Sequence, residues 1–209
     1  MDSAQKIANC IQAAARDVGL DAPTSEQAKS IIGLGLFEAL RRLFPSASDA
    51  QVNAMIGAYK HHFVTADDTK QALFDGVAQG LQSLEDSGSV LAVATGKSRA
   101  GLNRAFAELD LAPHFITSRC ADETRSKPHP KMLHEILDFT AIEPDKAIMI
   151  GDTTFDLDMA ANTRMAGLGA GYGVHSEQAL LDSKALAVLQ NFNEIIAWLL
   201  DGRLEKAYV

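Results

Sequence analysis

Apolar residues recur at three- and four-residue spacing through the first third of the chain. The first such series is Ile7, Cys10, Ile11 and Ala14. This is the periodicity of an amphipathic helix, which Ser3 can cap and Gly19 can end. The same periodicity predicts three further helices, over residues 25–32, 36–43 and 50–63, with Ser48 or Asp49 available to cap the last of them. Residues 1–73 are therefore predicted to form a bundle of helices, with residues 1–5 joining it to the rest of the protein.

From Phe74 onward, short apolar runs alternate with helical segments. The runs predict strands at residues 90–94, 115–117, 147–150, 168–172 and 188–189. Helices are predicted between and after them, at residues 100–109, 130–139, 155–166 and 193–200. Continuous apolar strands that alternate with helices are typical of a parallel sheet covered on both faces. Residues 74–209 are therefore predicted to form an α/β core with a Rossmann-like sheet.

Composition narrows the classes of partner. The chain has 209 residues, 47% of them hydrophobic and 22% charged, with a formal net charge of −8. An acidic surface of this kind repels nucleic acid and anionic lipid, so neither is expected as a partner. Cys10 and Cys120 form no metal-ligand pattern and are expected to be free thiols in a reducing compartment. No signal peptide or membrane span is evident, so we expect a cytoplasmic protein.

Two acidic residues follow the predicted strand at 147–150. Asp152 leaves the strand end, and Asp156 lies four residues on, one turn into the next helix. This spacing lets both carboxylates face one point, and two converging carboxylates suit Mg²⁺. The structural alternative is that Asp152 caps the helix and Asp156 interacts with its N-terminal dipole.

Two other segments offer groups that can hold a phosphate. Thr95-Gly96-Lys97 follows the strand at 90–94, where a hydroxyl and the backbone amides of a helix start can bind a phosphate oxygen. Lys127 lies in Ser126-Lys127-Pro128-His129-Pro130, where two prolines restrict the backbone around a compact positive charge. The alternatives are an N-cap role for Thr95 and an ordinary surface position for Lys127.

The order of these segments resembles the haloacid-dehalogenase-like (HAD) hydrolase superfamily. The stretch VLAVATGKSRAGL resembles its second motif, SKPHPKML its third, and AIMIGDTTFDLDMAANTRMAG its fourth. The phosphoglycolate-phosphatase-like branch is the most similar, since its cap is a small helical bundle inserted after the first strand. The four predicted helices before Phe74 and the stretch LFDGV fit that cap.

The resemblance implies a role for each residue. Thr95 and Gly96 would bind the phosphoryl group, and Lys127 would stabilise its charge. Asp152 would ligate Mg²⁺, and Asp156 would complete or orient that site. Asp152 also favours a phosphatase over a dehalogenase, since dehalogenases of this superfamily typically lack that acid.

One part of the family pattern is missing. Members begin with a strand that ends in D-x-D-G-T-L, whose first aspartate attacks phosphorus and whose second is the general acid and base. This sequence contains no such motif; it opens Met1-Asp2-Ser3, and Asp2 corresponds to a position after the nucleophile. We expect the first central strand to be absent and the chain to have little or no phosphatase activity. A start at an internal methionine and a natural loss of the nucleophile are both open.

The sequence therefore predicts the following function. The parent enzyme would be a Mg²⁺-dependent phosphomonoesterase of a small phosphorylated metabolite; a nucleophile-less binding or regulatory module and a phosphomutase of the same superfamily are the alternatives. The gap left by the first strand would be closed by a shifted strand, by direct pairing of its neighbours or by a partner chain. The sequence predicts neither the substrate nor the oligomeric state. Five basic cap residues can face an anionic substrate, although solvated surface positions suit each of them better: Arg41, Arg42, Lys60, His61 and His62.

Overall fold

The first part of the chain is helical, as its periodicity predicts. The computed structural model describes residues 1–66 and 72–202; the remaining residues of the two predicted domains lie outside this description. The helices of the first part are α1 (Ala4–Asp17), α2 (Ser25–Lys29), α3 (Leu36–Leu43) and α4 (Asp49–His61), followed by a π-helical turn at His62–Ala66.

Local capping sets where two of these helices begin. Thr24 caps α2 and Ser48 caps α4, each in a capping box with the glutamine three residues later. Ser3 precedes α1 as predicted, but its side chain makes no capping hydrogen bond. The apolar faces of the four helices share one hydrophobic cluster, which includes Ile11, Leu40 and Met55.

The second part alternates strands and helices. In chain order its elements are α5 (Val77–Asp86), β1 (Ala92–Thr95), α6 (Arg99–Leu109), β2 (Thr117–Cys120), α7 (Lys131–Thr140), β3 (Ile148–Gly151), α8 (Thr154–Thr163), β4 (Ala166–Ala170), α9 (Glu177–Asp182), β5 (Val188–Leu189) and α10 (Phe192–Leu200). A second hydrophobic cluster, which includes Met132, Leu133 and Met159, packs helices α7 and α8 together. The two clusters agree with the predicted division at residue 73, which itself stays a prediction.

The strands form two parallel sheets. β1 pairs with β2, and β3, β4 and β5 pair in that order. Within the described residues, β1 and β3 are not hydrogen-bonded to each other, so each has one free edge. All four residues of β1 and the first three of β3 are only half-buried, whereas four of the five β4 residues are fully buried. Strands at the centre of such a core are normally the most buried, so the half-buried positions mark an open cleft between β1 and β3.

Several predicted boundaries were wrong. The helix predicted over 155–166 ends at Thr163, because Arg164 adopts a left-handed conformation, and Gly167 lies inside β4. The second strand lies at 117–120 and not at 115–117. Helices α5 and α9 were not predicted at all.

Two remaining expectations concern the thiols and the membrane. Cys10 and Cys120 are both buried and free, and burial raises the pKa of the Cys120 thiol to about 11. No helix in the described part of the chain is long and apolar enough to cross a membrane.

Candidate active site

A cavity of about 890 Å³ lies where the helical part meets the carboxyl ends of β1 and β3. Its wall includes Thr95, Gly96, Lys127, Asp152 and Asp156, which are the site residues that the sequence predicts. Because the carboxyl ends of parallel strands meet at one edge, motifs that are far apart in sequence come together here. The cavity also reaches Ala94, Met149 and Ile150, so it extends into the cleft between the two sheets.

Lys127 and Asp156 form a buried ion pair in this wall. The Lys127 ammonium lies 2.5 Å from Oδ1 of Asp156, and the two side chains are only 6% and 5% exposed. Thr153 Oγ1 donates a hydrogen bond to the other oxygen, Oδ2, at 2.7 Å. The Lys127–Pro128 peptide bond is cis. Lys127 is therefore a buried, oriented cation and not the exposed surface lysine of the alternative interpretation.

Asp152 is held from the opposite side by the loop after β4. Val174 N donates to Oδ2 of Asp152 at 3.2 Å, and His175 N donates to its backbone carbonyl at 3.0 Å. Burial raises the pKa of the Asp152 carboxyl, the nearby Asp156 raises it further, and Lys127 lowers it. A Cβ atom at Gly173 would overlap the Asp152 side chain, so the loop approaches as closely as only glycine allows. Asp152 is thus a half-buried carboxylate whose pKa is raised because Lys127 offsets burial and the charge of Asp156 only in part.

Thr95 ends β1 and does not cap α6. Its Oγ1 accepts a hydrogen bond from Lys97 N at 3.1 Å, while the N-cap of α6 is Ser98. Likewise, Thr153 is the N-cap of α8 in place of Asp152. The capping alternatives for Thr95 and Asp152 are therefore wrong, and both side chains remain at the cavity wall.

A turn between α2 and α3 joins the helical part to this site. Gly35 N donates to Ser126 Oγ at 2.7 Å, next to Lys127. Gly33 has φ +107°, and a Cβ atom there would lie 2.8 Å from Thr153 Oγ1. A Cβ atom at Gly96 would overlap the carbonyl oxygens of Gly33 and Leu34. Sequence reasoning missed this contact, although the Gly-Leu-Gly spacing between two helices was an available signal.

His175 is a second residue that sequence reasoning missed. Its Nδ1 accepts a hydrogen bond from Thr154 N at 3.1 Å, so the proton of the neutral ring is on Nε2. Its ring packs edge-on against Phe155, 5.5 Å between centroids. Nε2 is buried and has no hydrogen-bond partner in the described part of the chain. No sequence motif surrounds His175, so no signal pointed to it.

The oxygen donors at the cavity wall suit Mg²⁺ in part. In the described residues, no three His, Cys, Asp or Glu side chains group into a complete metal-ligand set. Mg²⁺ nevertheless needs only one or two carboxylates, because phosphate oxygens and waters complete its shell. Asp152 fits that role as an incompletely compensated carboxylate at the cavity wall. The two carboxylate oxygens of Asp156 already contact Lys127 and Thr153. This favours the prediction that Asp156 orients the metal site over the prediction that it is a metal ligand.

The N-terminal residues also reach this cavity. Burial lowers the pKa of the Met1 ammonium, the nearby Asp152 carboxylate partly offsets this, and Lys97 lowers the pKa further. Asp2 lines the cavity but is exposed; its backbone N donates to Ala72 O, and its Oδ1 accepts from Ala4 N. Tyr172 is near enough to Asp152 that burial and then that carboxylate raise the pKa of its phenol to about 12.

The basic cap residues are divided between the cavity and the surface. Lys60 lines the cavity, whereas Arg41 is ion-paired with Asp49 and His62 lies 2.6 Å from Asp17. Arg42 packs over the ring of Phe155 at 5.3 Å from its centroid. His61 contacts Thr65. Of the five, only Lys60 has a place on the cavity wall.

The fold and this site define a class of protein, and comparisons of sequence and structure agree with it. The profile of the haloacid dehalogenase-like hydrolases matches residues 1–170, and the chain belongs to this family. It is 29% identical over 202 residues to the probable phosphatase IndB of Dickeya dadantii, covering 94% of this chain and 87% of that protein.

Two further similarities point the same way. The chain is 27% identical to a phosphoglycolate phosphatase of Xylella fastidiosa, covering 74% of this chain and 68% of the other. A crystal structure of a predicted phosphatase from Clostridium acetobutylicum superposes with a TM-score of 0.85 at 22% identity, covering 96% and 93% of the two chains. The predicted α/β HAD fold with helical elements before the core is thereby confirmed.

Proposed function

We propose that the chain supplies the phosphate-binding and metal-binding parts of a cytoplasmic, Mg²⁺-dependent phosphomonoesterase that acts on a small phosphorylated metabolite. The observation that carries this proposal is the meeting of Thr95, Lys127 and Asp152 at one cavity wall. Thr95 Oγ1 would hold a phosphoryl oxygen, and the Lys127 ammonium would neutralise charge that develops on it. The phosphatases among its relatives support this class of substrate.

Asp152 would hold Mg²⁺, with Asp156 fixing Lys127 beside it. When bound, the ion would neutralise phosphoryl charge and so favour attack by an anionic nucleophile. Asp156 aligns the ammonium by its 2.5 Å ion pair, and Thr153 fixes the carboxylate from the other side. Cap helices over the cavity would exclude bulk water from the site.

The nucleophile would be an aspartate presented between the carboxyl ends of β1 and β3. Its carboxylate oxygen would attack phosphorus, the ester P–O bond would break, and the leaving alkoxide would take a proton from the second acid of the D-x-D pair. Water would then cleave the acyl phosphate. The sequence contains no D-x-D-G-T motif, and Asp2, whose Oδ1 accepts a hydrogen bond from Ala4 N, corresponds in the family pattern to a position after the nucleophile. We therefore expect little or no turnover by residues 1–209 alone.

An assay with two proteins tests this proposal. Hydrolysis of para-nitrophenyl phosphate with Mg²⁺ is measured for residues 1–209 and for a version extended upstream by a strand that ends in D-x-D-G-T-L. We expect turnover only from the extended protein, and loss of that turnover in its Lys127→Ala and Asp152→Ala variants. Equal activity of the two proteins would refute the expectation that residues 1–209 lack the nucleophile. Loss of that activity in an Asp2→Asn variant would then identify Asp2 as the nucleophile.

A binding or regulatory module without catalysis is the second candidate. The observation in its favour is that the sequence contains no D-x-D-G-T motif to supply a nucleophile. The same extended protein separates the two functions: if it binds inorganic phosphate with Mg²⁺ but never hydrolyses the aryl phosphate, the site only binds.

A further inference from the structure

The loop after β4 holds the turn that carries Asp152 at both of its ends. At one end, Val174 N donates to Oδ2 of Asp152 at 3.2 Å, and His175 N donates to the Asp152 carbonyl oxygen at 3.0 Å. At the other end, Thr154 N donates to Nδ1 of the His175 ring at 3.1 Å. The contacts of His175 therefore span the turn from Asp152 to Thr154.

The contact with Thr154 depends on the identity of the side chain at position 175. Thr154 is the first residue of α8, and the first amides of a helix have no acceptor within the helix. Nδ1 of His175 supplies that acceptor. Because the hydrogen bond from His175 N to Asp152 belongs to the backbone, any residue at this position can keep it. The ring therefore decides whether the turn is held at its second end.

Packing keeps this ring in place. Phe155, which follows Thr154 in α8, is buried and packs edge-on against the His175 ring, with 5.5 Å between the centroids. The guanidinium carbon of Arg42, from the helical part, lies 5.3 Å from the Phe155 centroid. A packed ring has little freedom to turn Nδ1 away from Thr154 N, so this end of the turn is fixed.

The direction of the Asp152 carboxylate matters because of the ion that it would bind. Mg²⁺ demands nearly ideal octahedral geometry and tolerates a misdirected ligand poorly. Groups that orient a metal ligand without touching the metal typically change metal affinity about tenfold to a hundredfold. The oxygens of Asp156 are already held by Lys127 and Thr153, so the affinity of the site depends chiefly on Asp152.

We propose that His175 is a positioning residue for the metal site. Its ring fixes the turn from Asp152 to Thr154, so that the Asp152 carboxylate keeps the direction that Mg²⁺ needs. This inference rests on the proposed function, because it assumes that Asp152 ligates the ion. His175 acts through the turn and through Thr154 N; the cavity wall includes its neighbour Val174.

Binding of Mn²⁺ to residues 1–209 tests the inference without any need for turnover. Mn²⁺ takes the same oxygen donors as Mg²⁺, and the electron paramagnetic resonance signal of the free ion measures the unbound fraction. Competition with Mg²⁺ then gives the Mg²⁺ affinity. We expect His175→Ala to weaken binding of both ions about tenfold or more, and Asp152→Asn to remove it.

Two further variants identify the atom that acts. In His175→Asn, the side-chain Oδ1 takes the place of Nδ1 and can accept from Thr154 N, so most of the affinity should return. In His175→Gln, the amide lies one methylene farther from the backbone and misses that place, so the affinity should stay low. If His175→Ala fails to fold, the comparison of these two amides decides the inference.

Ser176→Ala is the matched control from the same loop. Ser176 Oγ accepts from Ala179 N at 3.3 Å and caps α9, so its loss should lower the urea midpoint and leave Mn²⁺ affinity unchanged. If His175→Ala likewise lowers only the urea midpoint, or if His175→Asn and His175→Gln bind Mn²⁺ equally, His175 only supports the fold and the inference is wrong.

The outcomes also distinguish this inference from the function on which it rests. Mn²⁺ binding that depends on Asp152 but not on His175 would overturn the positioning role and leave the metal site standing. If the unmodified chain binds no Mn²⁺, or if Asp152→Asn binds it equally well, the proposed metal site itself fails, and the role of His175 with it.

Discussion

At the scale of single residues, the site depends on charges held out of water. Lys127 and Asp156 are buried and paired with each other, whereas Asp152 is half-buried and its charge is only partly compensated. A buried pair is costly to break, because the remaining charge has lost both its partner and its water. Neutralising one member of the Lys127–Asp156 pair and neutralising Asp152 should therefore have opposite effects on the stability of the fold.

Neutralising one member of the buried pair should destabilise the protein strongly. For Lys127→Met or Asp156→Asn we expect a loss of about 3–5 kcal/mol in the free energy of unfolding. The double variant Lys127→Met/Asp156→Leu should recover part of that loss, because no buried charge is left. Urea unfolding measures all three.

A surface pair is the control for this cycle. Lys131 lies 3.6 Å from Glu135 and is 49% exposed, so Lys131→Met should cost at most about 1 kcal/mol. If Lys127→Met and Asp156→Asn lower the free energy of unfolding no more than Lys131→Met does, the buried pair is not important for stability.

Neutralising Asp152 should instead stabilise the metal-free protein at neutral pH. Its pKa is raised in the folded state above the ordinary 3.8, so the stability linked to this group is full at low pH and is lost as pH rises through the folded pKa. Asp152→Asn avoids that loss, and we expect it to melt a few degrees higher than the unmodified chain at pH 7 without Mg²⁺.

The same variant tests the metal. The difference in melting temperature between Asp152→Asn and the unmodified chain should shrink as the pH falls towards the ordinary pKa of a carboxyl group. Added Mg²⁺ should raise the melting temperature of the unmodified chain and not that of Asp152→Asn. A variant that is stabilised equally by Mg²⁺ would show that Asp152 is not a ligand.

At the scale of elements, the site depends on how the turn between α2 and α3 rests on the start of α8. Gly33 has a φ that side-chain-bearing residues rarely adopt, and Thr153 lies directly against it. Thr153 in turn holds the carboxylate that orients Lys127. The turn is therefore in contact with the residues that fix the charge at the site.

Gly33→Ala should disturb this contact. We expect a loss of about 1–3 kcal/mol from backbone strain, in addition to the displacement of Thr153. Gly57→Ala is the matched control, because Gly57 lies inside α4 with open space around it and should gain about 0.5–1 kcal/mol. Equal effects of the two substitutions on the urea midpoint would exclude a structural role for the turn.

At the scale of the whole molecule, the half-buried strands β1 and β3 bound a cleft, and we expect a further strand to fill it. Free edges leave backbone N–H and C=O groups without partners, which is costly in a partly apolar cavity. Of the three predicted ways to close the gap, direct pairing of β1 with β3 is not found in the described residues. Pairing with a partner chain stays a prediction.

An upstream strand should therefore stabilise the fold. The extended protein used for the phosphatase assay should melt at a higher temperature and more cooperatively than residues 1–209. Hydrogen exchange should slow at the β1 and β3 amides that gain partners, while β4 amides, already paired, serve as an internal control. Identical melting and exchange in the two proteins would show that the cleft does not take a strand.

The sequence alone determined the elements whose signals are local. Helical spacing, the Ser48 cap and the apolar runs at β1, β3 and β5 predicted those elements closely, because period and capping act within one turn or one strand. The order of Thr95, Lys127 and Asp152 after successive elements predicted that they share one site, since parallel strands end at the same edge.

Only the tertiary structure decided which charges are compensated. Nothing in the local sequence shows that Asp156 is committed to Lys127, because the two residues lie on elements that are distant in sequence. The contact of Gly33 with Thr153 was also beyond local signals, whereas the gap left by the first strand was expected from the family resemblance. The reason is the same in each case: burial and pairing are properties of the assembled core, whereas periodicity and capping belong to the chain itself.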